Sequence, residues 1–180
     1  MTRQRDTQRS KLYAAERAVP GFETDDRLET VADLEAYVSD ICNSKWFRAH
    51  WPRIKRIAVH DGRRHRRAVA YDSRGGGYWG DMVNTISMPR WSRSRMIVLH
   101  EIAHLCVPWM RAAHGWEFAD AYLRLVRHFL GQLKHDQLRD AFRRHRVRYA
   151  PKRKGTSKGN PAALAAWRAR KAAEGLNAQT

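Results

Sequence analysis

Cysteine is scarce in this chain: Cys42 and Cys106 are the two in 180 residues, far apart and each within an apolar helical pattern. Two isolated thiols exclude a disulfide-stapled scaffold and a four-cysteine zinc module, and they read as reduced core residues. No apolar run approaches the roughly 20 residues that a membrane span needs, and residues 1–10 lack the apolar stretch of a secretory signal. The expected compartment is the cytoplasm, with no membrane partner. Acid is scarce as well: 18 Asp and Glu stand against 35 Lys and Arg, a formal net charge of +17. The excess gathers at residues 45–67 and 139–171, while 23–40 is acidic. Basic clusters attract phosphate backbones with little sequence preference, so DNA or RNA is the expected partner of those two surfaces.

What is abundant is bulky apolar material, including seven tryptophans, enough for one core in a chain of this length. Residues 1–20 are expected to form an N-terminal helical arm, 21–150 one α+β domain, and 151–180 a basic tail. In that tail Asn160 and Pro161 announce a short helix. Within the domain, Val31, Leu34, Val38 and Ile41 recur at helical spacing after Thr30. Trp46, Phe47 and Trp51 form an aromatic patch. From Arg53 the period changes, and Ile54, Ile57 and Val59 with Val69 and Tyr71 suggest a hairpin around Asp61-Gly62. A third strand is expected over 82–88, ended by Pro89. Ser92 is the expected N-cap of the next helix, and further helices are expected over 115–133 and 136–149.

That next helix holds His100-Glu-Ile-Ala-His104 inside the apolar run 96–107. Histidines four apart share a helix face, so both imidazoles can hold one metal ion, and Glu101 then stands where a general base would act on a metal-held water. Burying three ionisable groups without partners would be costly, which favours the metal reading over chance. A catalytic zinc takes a third protein ligand and leaves a fourth position open. His114 is the leading candidate, because Pro108 ends the helix and residues 109–113 give the chain room to return. Glu117, Asp120 and His128 are the others. In His114-Gly-Trp-Glu-Phe118, Phe118 falls one turn on, where it can pack into the core and fix the approach of His114. The longer HExxHxxGxxH pattern is absent, since Val107 and Met110 occupy its later positions. Tyr78 and Tyr122 are the phenols within reach of a developing oxyanion, though neither belongs to a motif.

Leu99-His-Glu-Ile-Ala-His104 followed by His114-Gly-x-x-Phe118 resembles the SprT-like and minigluzincin zinc metallopeptidases. The opening 5–16 and Ile86-Ser-Met-Pro-Arg-Trp91 are similar to a family of short metallohydrolases from actinobacteria and their phages, a likeness spanning about residues 5–130. The resemblance implies a zincin-like fold, a small mixed or antiparallel sheet of about three strands packed on the HExxH helix. It further implies zinc on His100, His104 and His114, Glu101 as catalytic base, and a protein or peptide substrate. Zincins set an edge strand beside the active-site helix to pair with substrate, and residues 81–87 are the candidate here. The cysteine cluster of some SprT-like proteins is missing, which removes any zinc-ribbon role. The competing expectation is a nucleic-acid-binding or structural protein whose metal only stabilises the fold.

Overall fold

The computed structural model describes residues 5–62, 68–71 and 84–151. It is a mixed α+β fold of six helices and a three-stranded mixed sheet. Tyr78, residues 81–83 of the candidate substrate strand, the arginine-rich loop 63–67 and the tail from 152 lie outside the described residues.

The first helix, α1 (Arg9–Arg17), turns Leu12, Ala15 and Glu16 inward. The second, α2 (Val31–Asn43), starts at Thr30 with a capping box: the threonine hydroxyl accepts from the Asp33 amide at 3.0 Å, and Asp33 accepts from the Thr30 amide at 2.9 Å. Its inward face is Leu34, Val38 and Ile41, as the helical spacing requires. Ser44 ends α2 and caps the short α3 (Lys45–His50), which buries Phe47.

The sheet departs from the expected hairpin. Strand β1 (Ile57–Asp61) and strand β2 (Val69–Tyr71) do not pair with each other; β3 (Asn84–Met88) lies between them, parallel to β1 and antiparallel to β2. Asp61-Gly62 is therefore no hairpin turn. The glycine is needed for another reason: a Cβ there would stand 2.5 Å from the Pro89 nitrogen, where the chain leaves β3. The central place of β3 also overturns the expectation that residues 81–87 offer a free edge, since Asn84–Met88 has a strand on each side. Among the described residues the edges are β1 and β2.

After β3 a single 3-10 turn, Arg90–Ser92, precedes α4 (Arg95–Cys106). The N-cap is Ser94, not Ser92: the Ser94 hydroxyl accepts from the Ile97 amide at 3.3 Å, while that of Ser92 donates to the Pro89 carbonyl. Arg93 between them is buried and ion-paired to Asp61 at 2.9 Å, and it donates to the carbonyls of Met88 and Glu29. This arginine ties the end of β1, the end of β3 and the start of α4 together. Helix α4 is buried almost all round, packing on β2 and β3 on one side and on α5 (Trp116–Phe129) on another. Helix α5 ends earlier than expected and α6 (Gly131–Arg144) begins earlier, because Gly131 adopts φ +87, which a residue with a side chain rarely takes. Helix α6 packs on α5 and α1. Among the described residues no helix is long and apolar enough to cross a membrane.

Candidate metal centre

The histidines of α4 point into the core, where a third meets them. His100, His104 and His114 each offer one ring nitrogen, and these atoms lie within 4.8 Å of one another. His100 Nε2 and His104 Nε2 are 3.2 Å apart, close to the roughly 3.3 Å that separates two nitrogens on a tetrahedral zinc with bonds of about 2.0 Å. His114 arrives from the turn before α5: its neighbour Gly115 caps that helix, and the Gly115 amide bonds the Ala112 carbonyl at 3.0 Å. Pro108 lies just past the end of α4, so the chain reverses between the second and third histidines.

Two carboxylates reach these rings from the N-terminal segment. His100 Nδ1 donates to Glu16 at 2.5 Å, and His114 Nδ1 donates to Asp6 at 2.7 Å. A donor at Nδ1 leaves the lone pair of the neutral ring on Nε2, so both contacts select the tautomer that a metal needs. His114 Nε2 is buried with no hydrogen-bond partner among the described residues. An orphaned buried acceptor beside two other imidazoles is costly in a plain core and fits a metal site. Phe118, fully buried, packs its ring 4.9, 4.5 and 5.1 Å from the rings of His100, His104 and His114. One side chain thus sets the spacing of all three.

The electrostatics differ between the two buried rings. Burial opposes charge on His100, but the Glu16 carboxylate, by its charge and its hydrogen bond, holds the ring above the usual histidine range. Burial and the nearby His100 push His114 down to about 4, against the pull of Asp6. His114 therefore keeps its ring lone pair, whereas Glu16 favours a proton on His100 that a metal ion would have to displace. Glu101, next along α4, is 6% exposed. Burial lifts its carboxyl above the ordinary range; His100 opposes that, Glu16 adds to it, and the Ala70 amide, donating to the carboxylate from β2, opposes it.

The other candidates stand apart. Glu117 pairs with Arg111 at 3.5 Å, half-exposed Asp120 with Arg124 at 4.0 Å, and His128 stacks on Trp46. The Tyr122 hydroxyl donates to the Met96 carbonyl at 3.2 Å, so this tyrosine is a core residue held to the backbone. Three residues at the site, Asp6, Tyr13 and Glu16, fall in the opening 5–16 that carries the family resemblance but were not expected at the metal centre. The signal that could have found Glu16 is its place four after Leu12 and one after Ala15, on the face that α1 buries. Tyr13 places its ring 5.9 Å from His100 and 5.2 Å from His114, with the Arg9 guanidinium 5.5 Å from its centroid.

Three histidines so placed could hold one metal ion. Comparison with protein-family models, with curated proteins and with solved structures returned no match to this chain, and the functional reading therefore rests on its own residues.

Proposed function

We propose that the protein is a zinc-dependent metallohydrolase of zincin-like fold, acting on peptide bonds, with His100, His104 and His114 as ligands and Glu101 as general base. The observation that carries this reading is the neighbourhood of Glu101. Its buried carboxylate interacts with His100, one of a cluster of three imidazoles of which two are oriented by carboxylates of their own, in the arrangement that second-sphere partners give to metal-binding histidines. Imidazole donors, one pair of them 3.2 Å apart, suit zinc better than the harder cations. Zinc held there would supply Lewis acidity, polarising a carbonyl and acidifying water.

The chain's own residues account for the rest. Glu101, its pKa raised by burial, takes a proton from the attacking water and passes it to the leaving amine. One water is consumed, and a carboxylic acid and an amine are formed. Tyr13, its ring half-buried against His100 and His114 and its hydroxyl paired with Arg9, is our candidate donor to the oxygen that becomes negative. The Ala70 amide of edge strand β2 reaches the Glu101 carboxylate, so β2 passes directly beside the proposed base.

The test is Glu101→Gln in the zinc-loaded protein, assayed on unstructured protein substrates. Zinc content and folding should be unchanged and hydrolysis lost by about a thousandfold, within the range of about 10²–10⁴ that a positioned acid–base group contributes. Cleavage at the native rate would remove Glu101 from the mechanism. A native protein that binds zinc but cleaves nothing would favour a fold-stabilising metal site.

A further inference from the structure

A second surface, formed by α3 and the C-terminal half of α5, combines cations with ring faces. Residues 44–56 carry five Lys and Arg and no acid, and residues 121–131 are also free of acid. Trp46 lies between two imidazoles, 4.2 Å and nearly parallel (9°) to exposed His128, and 4.4 Å from exposed His50. Half-buried Trp51 stands 5.5 Å from Trp46, with the Arg124 guanidinium 5.3 Å from its centroid. Burial and neighbouring His50 hold His128 below the usual histidine range, so near pH 7 it is a neutral ring. Exposed Arg53 and Arg127 make no ion pair with another described residue. Beside the rings a cavity of about 320 Å³ opens between residues 50–54 and 105–108, with Asn84 in its wall. That volume is at the lower end of small-ligand sites, which begin near about 300 Å³.

We propose that this face binds single-stranded polynucleotide: bases stack on His50 and Trp51, one base enters the cavity, and Arg53, Arg124 and Arg127 hold phosphates. Stacking rings among cations serve unpaired bases of any sequence. An acidic peptide would use the charges but not the rings or the cavity, and a duplex keeps its bases paired. The proposal is independent of the metal site, and its readout is binding.

The experiment measures fluorescence anisotropy of labelled 20-mers of deoxythymidine and of uridine, and of a 20-base-pair duplex, with the full chain over a range of salt. The double variant Arg53→Glu/Arg127→Glu should weaken single-strand binding at least about tenfold and lower the salt slope by about 1.4, two contacts at about 0.7 each. Arg17→Glu/Arg90→Glu, the same charge change at exposed positions outside both basic clusters, should cost less than about threefold. Trp51→Leu should weaken binding about fivefold or more at an unchanged slope, since stacking is not salt-dependent. A single strand of either sugar that binds tighter than the duplex supports the proposal. It is overturned if both arginine pairs weaken binding equally, if the duplex binds as well as the single strands, or if poly-glutamate displaces the oligonucleotide at matched charge.

Discussion

Replacing Glu16 by glutamine takes a negative charge from behind His100 while leaving an oxygen of the same shape to accept its Nδ1 proton. Glu16 is 3% exposed, so no water can replace what the side chain supplies. Partners behind a metal-ligating histidine contribute about 10- to 100-fold in affinity, or about 1.4 to 2.7 kcal/mol. Glu16→Gln should fall at the lower end, because the ring keeps its orientation and loses only basicity. Glu16→Ala should reach the upper end, because the Nδ1 donor is then buried unpaired, itself a penalty of about 1–3 kcal/mol. Asp6→Asn tests the same contact on His114, from a carboxylate that is partly exposed and therefore weaker in effect. Zinc affinity is read by competition with a chromophoric chelator, and thermal unfolding in chelator checks the fold. If Glu16→Gln and Glu16→Ala both fold and bind zinc as tightly as the native chain, the carboxylate does not tune the centre and the reasoning fails.

Other expectations concern the ligands and the ring between them. His114→Ala should lower zinc stoichiometry well below one per chain by elemental analysis, whereas Glu117→Ala and Asp120→Ala should leave it at one; the reverse pattern would move the third ligand to a carboxylate. Phe118→Ala should cost about 3–5 kcal/mol of stability, from its burial and the cavity left behind, read as a lower denaturation midpoint at constant slope. It should also weaken zinc binding, since the three rings lose their common spacer; a destabilised variant with native affinity would confine Phe118 to packing.

The helices were legible because their signals are local. Thr30 and Asp33 form a capping box three residues apart, Leu34, Val38 and Ile41 repeat at one turn, and the His100–His104 pair is a spacing within α4. His114 and Phe118 were legible for the same reason. The sheet order was not, since β1 meets β3 across more than 20 residues and no local pattern says that β3 enters between β1 and β2. Asp61-Gly62 carries the composition of a turn, yet its glycine answers a close approach by Pro89, distant in sequence. Ser92 was the expected cap, but the 3-10 turn over Arg90–Ser92 places it ahead of the helix and Ser94 takes the role. Asp6 and Glu16 act across 108 and 84 residues, and side-chain chemistry alone does not distinguish them from solvated acids.

The central claim is most directly tested by zinc-edge X-ray absorption on the full chain loaded with one equivalent of zinc. The account predicts three imidazole nitrogens at about 2.0–2.1 Å and one light, non-protein oxygen in the fourth position, with one imidazole fewer in His114→Ala. Four protein ligands, or a spectrum unchanged by His114→Ala, would contradict it.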